Sequence, residues 1–297
     1  MERWTARGLG IFCGLAAISL GFVYLLAAGA PSFMLAIQMG AVAIGLVSLP
    51  ILATLSRVSP RDGSGIVLLL LGIALLLTAL FGLEASGATR WIRLGAVNLQ
   101  TSLVLVPVML MLYARRPGPL GTVGVVLAAS ALALQPDRAM AAVMAVALIL
   151  LASLRRDRLT IGTALCAAAA FAATLARPDA LPAVPFVDAI LYSAFDVHVL
   201  VGVAVLAGSA LLLVPALGAG EPQSRLVFGA VWLSILAAAA LGNYPTPLVG
   251  YGGSAILGYW LSVALLPGRK AKGGAHIGRS PLPADPPPLD PLLRAAA

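Results

Sequence analysis

Long apolar segments are the feature that most constrains how this 297-residue chain can fold. They recur along almost its whole length, in runs of roughly 16 to 23 residues, which approach what a helix needs to cross a hydrocarbon layer about 30 Å thick. Only 10% of the residues are charged, against about a quarter in soluble domains, so the chain cannot cover itself with a polar surface. The runs lack the alternation that is typical of a membrane β-barrel. The sequence therefore predicts an all-α polytopic membrane protein.

About ten transmembrane helices are predicted, and the distribution of basic residues supports this number. The segments are 8–29, 33–55, 66–83, 95–114, 120–135, 139–154, 159–176, 197–218, 226–242 and 251–267. Ten crossings place both termini on one side of the membrane. If that side is the cytoplasm, 15 of the 19 Lys and Arg residues lie inside, and the outer four are Arg90, Arg93, Arg138 and Arg177. Because cytoplasmic loops are enriched in basic residues, both termini are predicted to be cytoplasmic.

The two ends of the chain are predicted to differ. The apolar run that begins at Gly8 is longer than the core of a signal peptide, so it is predicted to be the first membrane helix. Residues 1–268 are predicted to form a transmembrane domain, and the basic and Pro-rich residues 269–297 a disordered cytoplasmic tail. The net charge of +8 follows from the cytoplasmic basic residues and does not indicate nucleic acid binding. Cys13 and Cys166 lie in apolar helices and predict no metal site.

Two polar stretches are predicted on the outer side. The first runs from Gly87, carries Arg90, Trp91, Arg93 and Gln100, and then becomes abruptly apolar; a tryptophan there is a natural anchor at the membrane interface. The second is the QPDR turn at 135–138. Its flanking helices of about 16 residues rise only about 24 Å, so the turn is predicted to be recessed into the outer leaflet. Asp137 in that turn is either functional or paired with Arg138 or another helix.

Two further stretches on the outer side are candidates for function. After Pro185, a short amphipathic helix is predicted at the interface, with Asp188, Tyr192 and Asp196 on one face. Its carboxylates either are simply solvated or face a lipid-linked substrate, and His198 after it is expected to cap or pack the next helix. The glycine-rich GYGGS run at 250–254 opens the last helix, where backbone N–H groups can attract an anion such as pyrophosphate. Tight helix packing is the alternative explanation for these glycines.

Four motifs, in this order, resemble those of the SEDS family (shape, elongation, division and sporulation). The family's R-W-I-x-L-G-x-x-x-x-Q-P-S-E-x-x-K run is matched by RWIRLG at 90–95 and QTS at 100–102. Its Q-P-D-L-G run is matched by QPD at 135–137, and its P-x-x-S-Y-G-G-S run by PLVGYGGS at 247–254. Its T-D-F-I-F-A…E-E-L-G region is matched by Asp188, Asp196 and Gly202. The resemblance covers most of the chain.

The resemblance implies a protein of peptidoglycan synthesis in the bacterial inner (cytoplasmic) membrane, acting in cell division or cell-shape maintenance. Active SEDS proteins are glycosyltransferases that polymerise the lipid-linked disaccharide-pentapeptide precursor at the outer face with a class B penicillin-binding protein. That precursor, that protein and membrane lipids are the implied partners. Asp188 matches the family's essential aspartate, a base for the attacking sugar hydroxyl or a ligand of a divalent cation, with no other cofactor implied. The residues expected to bind substrate are Arg90, Trp91, Arg93, Gln100, Asp137, Tyr251, Gly252, Gly253 and Ser254.

The chain departs from the family pattern in places that bear on activity. The family's Glu and Lys fall on Leu103 and Val106, its Pro falls on Thr101, and the loop before Asp188 is reduced to about twenty residues. These changes keep a second function open, a degenerate SEDS protein that is a scaffold or regulator of a penicillin-binding protein. A third function is transport of the lipid-linked precursor, although the helices lack the charges that usually line a polar path through the membrane.

Overall fold

The computed structural model describes residues 4–58, 63–85, 87–95, 97–177 and 181–268, with the side chains of 55–58 excepted. The tail from residue 269 onward, predicted to be disordered, lies outside the described residues. The helices are α1 (Ala6–Ala27), α2 (Ser32–Val58), α3 (Gly63–Phe81), α4 (Thr101–Arg115), α5 (Pro119–Leu134), α6 (Arg138–Arg155), α7 (Arg158–Leu175), α8 (Ile190–Val197), α9 (Val199–Leu211), α10 (Pro222–Leu241) and α11 (Gly253–Ala264). The strands are β1 (Leu83–Ala85), β2 (Ala88–Leu94) and β3 (Val97–Gln100).

Each of the ten predicted membrane segments corresponds to an apolar helix of the structure. Seven helices in the described part of the chain are long and apolar enough to cross a membrane, with α9 extended through a 3₁₀ turn at Val214–Leu217. The helices α4, α5 and α11 are also apolar but shorter, with 10–17 residues each. The predicted all-α polytopic membrane fold is therefore confirmed.

The chain ends of the described bundle lie together. The guanidinium of Arg7, at the start of α1, donates to the carbonyl oxygen of Leu266 after α11 at 2.8 Å. The amide of Ala6 donates to the carbonyl oxygen of Ala219 at 3.0 Å. We call this the arginine end of the bundle, because Arg115, Arg155, Arg156 and Arg225 also lie there. The other end, where the β-strands and the turns before α6, α8 and α11 meet, is called the sheet end.

The strands at the sheet end are a feature that the sequence did not predict. A membrane helix was expected from residue 95, but this start is wrong, because the chain forms an antiparallel sheet of order β1-β2-β3 until Gln100. β2 contains Thr89, Trp91 and Ile92, which are residue types that favour strands. Gly95 takes a left-handed conformation with φ 61° at the end of β2, where the chain turns into β3. The Thr89 hydroxyl donates to the carbonyl oxygen of Ala79 at 2.9 Å and ties the sheet to α3.

The predicted amphipathic helix near Asp188 is shorter than expected. Ala189 takes a left-handed conformation with φ 57°, so α8 begins only at Ile190. Asp188 therefore lies in the turn before α8 and does not share a helix face with Tyr192 and Asp196, which was predicted. Those two side chains are exposed, while Ile190 and Ala194 are buried, so the short helix itself is amphipathic. The expected capping role of His198 is confirmed, since its Nδ1 accepts from the amide of Leu200 at 3.1 Å.

Close packing of α11 against α4 brings two of the motifs together. A Cβ on Gly258 would overlap the carbonyl oxygen of Leu103, so only glycine allows the two backbones to approach this far. One turn earlier in α11, the hydroxyl of Ser254 accepts from the amide of Gln100 at 2.9 Å. The polar start of α4 and the glycine-rich start of α11 therefore face the same space at the sheet end.

Candidate functional site

A cavity of about 720 Å³ lies at the sheet end of the bundle. Its walls come from β2 and β3, the start of α4, one face of α2, and the two turns that precede α8 and α11. Eight of the residues singled out from the sequence line it: Arg90, Trp91, Gln100, Asp188, Tyr251, Gly252, Gly253 and Ser254. The structure thus gathers three motifs that are far apart in sequence around one space.

Asp188 is half-buried in the cavity wall, in the turn before α8. Its Oδ2 accepts from the backbone amide of Val184 at 2.8 Å. Burial raises the pKa of the Asp188 carboxyl, and the hydrogen bond from Val184 partly opposes this rise because it stabilises the charged form. A carboxylate that is harder to ionise than usual is also a stronger base, which suits proton transfer.

The turn that carries Asp188 is held by the turn that precedes α11. The amide of Thr246 donates to the carbonyl oxygen of Val187 at 3.0 Å, and the amide of Tyr251 donates to that of Phe186 at 2.7 Å. Asp188 itself forms an isolated antiparallel bridge with Pro245. The backbone on both sides of the carboxylate is therefore fixed by residues 243–252, which we call the glycine loop.

Asp137 is fully buried behind the cavity wall and does not line the cavity. Its Oδ2 accepts from the hydroxyl of Ser102 at 2.6 Å and lies 3.3 Å from the Nε2 of Gln100, while its Oδ1 accepts from the amide of Met140 at 3.2 Å. Of the two partners considered for Asp137, Arg138 or another helix, it is the other helix, α4, that provides the contact, through Ser102. Arg138 donates instead to the carbonyl oxygen of Arg177 at 2.9 Å. Asp137 caps α6 and fixes Gln100.

Gln100 connects the buried network to the cavity. Its Nε2 lies 3.2 Å from the hydroxyl of Tyr244 and 3.3 Å from that of Ser102, in addition to the contact with Asp137. The backbone amide of Gln100 also donates to the hydroxyl of Ser254. Gln100 therefore connects β3 with the start of α6, the glycine loop and α11. Buried polar groups are tolerated in an apolar surrounding only when they are hydrogen-bonded, and this network meets that condition.

The two arginines of β2 are placed differently. Arg90 is buried at the cavity, and its guanidinium donates to the carbonyl oxygen of Pro136. Arg93 is exposed, does not line this cavity, and lies with its Nε 3.5 Å from the Oδ1 of Asn98. Since side chains alternate along a strand only with period two, Arg90 and Arg93 cannot share a face.

The glycine-rich start of α11 was interpreted either as an anion site or as a place of tight packing, and its glycines differ in this respect. A Cβ on Gly250 would overlap Ile190, which is the tight packing expected of such a run. A Cβ on Gly252 would meet nothing within 4 Å, so its missing side chain leaves open space at the cavity. The amide of Gly252 is already bound, because it donates to the Oε1 of Gln38 at 3.0 Å. It is therefore not available to an anion.

Leu103 and Val106, at the positions where the SEDS motif has an acid and a base, supply no charge to this part of the chain. Leu103 lines the cavity, whereas Val106, about one turn further along α4, is fully buried and does not line it. Among the described residues, no three carboxylate, histidine or cysteine side chains lie close enough together to hold a metal ion. A divalent cation at Asp188 would therefore take most of its oxygen ligands from substrate, backbone or water.

Two residues of the site were missed in the sequence, Gln38 and Tyr244. Gln38 is fully buried on α2 and binds the glycine loop, and Tyr244 contacts Gln100. Gln38 did leave a signal, since it is the single amide in the otherwise apolar run 33–47. Polar side chains within membrane segments are expensive and generally face a partner.

The fold is similar to that of known structures. The rod shape-determining protein RodA of Thermus thermophilus matches with a TM-score of 0.55 and 23% sequence identity, over 86% of this chain and 93% of that chain. An aspartate-to-alanine mutant of it matches with a TM-score of 0.57, also at 23% identity, over 86% of this chain and 94% of that chain.

A third similar chain comes from a structure described as the structural coordination of polymerization and crosslinking by a peptidoglycan synthase complex. It matches with a TM-score of 0.53 and 24% identity, over 86% of this chain and 95% of that chain. No protein-family model and no curated protein sequence matches. The resemblance to the SEDS family is thus confirmed at the level of the fold, which this chain shares with RodA.

Proposed function

We propose that this chain is a SEDS-type protein of peptidoglycan synthesis, which polymerises the lipid-linked disaccharide-pentapeptide precursor at the outer face of the bacterial inner membrane. The observation that carries the proposal is the placing of Asp188, Arg90 and Gly252 around one cavity, in a chain with the fold of RodA. These residues come from three motifs separated by up to 162 positions in the sequence, from Arg90 to Gly252. Composition alone would not bring them together.

In this mechanism Asp188 is the general base. Its Oδ2 is held by the amide of Val184, which fixes the orientation of the carboxylate. The free carboxylate oxygen accepts the proton from the attacking sugar hydroxyl as the new glycosidic bond forms and the lipid pyrophosphate leaves. Arg90 adds positive charge to the same wall, where it would attract the pyrophosphate.

Several finer points belong to the same proposal. The partner would be a class B penicillin-binding protein, since one similar structure is described as coordinating polymerization with crosslinking. Substrate contacts are assigned to Trp91, Gln100, Tyr251, Gly253 and Ser254, which line the cavity, with Asp137 fixing Gln100 from behind. Arg93 lies outside the cavity and would bind only a part of the precursor that extends over the sheet. The process served is cell division or cell-shape maintenance.

The decisive experiment is polymerisation of labelled precursor by the purified chain with its penicillin-binding protein. Asp188→Asn keeps the shape and an acceptor for the amide of Val184, but it removes the base. We expect the rate to fall by about 10² to 10⁴, the usual contribution of a general base. Asp196→Asn is the matched control, because it neutralises an exposed carboxylate on α8 and should leave the rate unchanged. An active Asp188→Asn variant would remove the proposed role of this residue.

A second candidate function is a scaffold or regulator of the penicillin-binding protein without activity of its own. The observation in its favour is that Leu103 and Val106 are apolar, so this part of α4 lacks the lysine of the family motif, whose positive charge could neutralise a leaving pyrophosphate. It predicts that the wild-type chain yields no polymer but still copurifies with the penicillin-binding protein. Robust polymerisation by the wild type would exclude it.

A further inference from the structure

The carboxamide of Gln38 binds the glycine loop at two points. Its Nε2 donates to the carbonyl oxygen of Gly250 at 2.9 Å, and its Oε1 accepts from the amide of Gly252 at 3.0 Å. The single side chain of Gln38 thus bonds both the carbonyl oxygen before Tyr251 and the amide after it, as the backbone of a neighbouring β-strand would. Gln38 itself is fully buried within α2.

The opposite edge of the same backbone binds the turn that carries Asp188. The amide of Tyr251 donates to the carbonyl oxygen of Phe186 at 2.7 Å, two residues before Asp188. A row of hydrogen bonds therefore runs from Gln38 through the glycine loop to the turn of the catalytic candidate. Each link joins segments that are far apart in sequence, so the row depends on the tertiary structure.

The conformation of the glycine loop has a cost that bonds to partners outside the loop can offset. The loop contains Leu248 in a left-handed conformation with φ 65°, which is unfavourable for a residue with a branched side chain. Its neighbour α2 is a helix, whose backbone groups are already bonded within the helix and cannot serve a second segment. Without Gln38, the carbonyl of Gly250 and the amide of Gly252 would be left without a partner in an apolar surrounding, which is costly.

We propose that Gln38 is a positioning residue, which fixes the glycine loop and through it the orientation of Asp188 towards the cavity. The helix α2 is well placed for this, because Ala41, one turn after Gln38, packs against Gly253 and also lines the cavity. Any effect on catalysis rests on the proposed polymerase function. The effect on the loop itself does not.

The structural test is hydrogen–deuterium exchange on the full chain in lipid nanodiscs. Gln38→Met keeps the length of the side chain and removes both hydrogen bonds, whereas Gln38→Glu keeps the acceptor for the amide of Gly252. We expect exchange at Tyr251 and Gly252 to rise about tenfold in Gln38→Met and to rise much less in Gln38→Glu. Gln223→Met is the matched control, since Gln223 donates to the carbonyl oxygen of Ala114 at the arginine end.

The functional test uses the same variants in the polymerisation assay. A displaced base lowers kcat by about ten- to a hundredfold and changes KM little, and Gln38→Glu should recover part of the rate. Unchanged exchange in Gln38→Met would overturn the proposal, and so would altered exchange with full wild-type kcat. If the wild type forms no polymer, the proposed function fails, while the exchange result still decides whether Gln38 holds the loop.

Discussion

At the scale of single residues, Asp188 has the environment of a base. It is half-buried beside apolar wall residues such as Val187, and its carboxylate accepts a hydrogen bond from the amide of Val184. Asp137, in contrast, is fully buried and surrounded by donors from Gln100, Ser102 and Met140. The two aspartates are therefore suited to different tasks, with Asp137 holding structure and Asp188 available for chemistry.

Burial raises the pKa of Asp188, which predicts a distinctive pH dependence. The proposed role as a base needs the ionised carboxylate, so the polymerisation rate should fall as the pH is lowered through this raised pKa, above the range of an ordinary aspartate. The raised pKa also makes the stability of the fold depend on pH, but stability falls where the rate rises. A folded-state pKa above the unfolded value means that ionisation destabilises the native state once the pH exceeds the unfolded pKa.

The measurements for Asp188 are a pH–rate profile of the wild type and thermal unfolding of Asp188→Asn at neutral pH. The variant should be at least as stable as the wild type there, because it removes a charge that burial disfavours. An acid limb in the ordinary aspartate range, or a less stable variant, would contradict this description of the site.

At the scale of helices, glycine sets how closely elements approach. In α3 and α5, a Cβ on Gly72 would overlap the carbonyl of Gly124, and a Cβ on Gly124 would overlap the backbone of Leu68. Small residues of this kind let membrane helices pack closely. The α3–α5 pair leads into β1 on one side and into the QPDR turn on the other, so its separation affects the position of Arg90 and Pro136.

Gly124→Ala is expected to force α3 and α5 apart. Overpacking of this kind typically costs about 1–3 kcal/mol, so the thermal unfolding midpoint in detergent should fall. Gly162→Ala on α7 is the control, because a Cβ there meets nothing within 4 Å. That variant should unfold no earlier than the wild type, and equal behaviour of the two variants would show that the close approach is not important for stability.

The elements also show where periodicity in the sequence failed. The pattern around Asp188 favoured a helix, but Phe186 and Ala189 both take left-handed conformations because the turn is bonded to the glycine loop. The hydropathy pattern also gives no sign of the pairing of β2 with β3, because the stretch runs directly into the apolar residues of α4. At Asp188, hydrogen bonds between distant segments override the local helical preference. The pairing of β2 with β3 is instead a local hairpin, which agrees with the strand preference of its residues.

At the scale of the whole molecule, the arginine end and the sheet end differ in charge. The distribution of arginines predicts that the arginine end is cytoplasmic. The prediction can be tested with an impermeant maleimide on intact cells, in a chain with Cys13→Ala and Cys166→Ala. Glu84→Cys, exposed at the sheet end, should be labelled from outside. Ser153→Cys, exposed at the arginine end, should be labelled only after permeabilisation, and the reverse result would invert the topology.

The sequence by itself determined the membrane class, the ten apolar helices and eight of the residues around the cavity. These follow from hydropathy, from the spacing of polar motifs and from the arginine distribution, all of which act locally along the chain. Only the tertiary structure decided that Asp137 is sealed behind Gln100, that Arg93 lies outside the cavity, and that Gln38 binds the glycine loop. Those outcomes depend on which segments meet in space, because the hydrogen bonds of a loop in an apolar surrounding must be completed by whichever side chain is close enough.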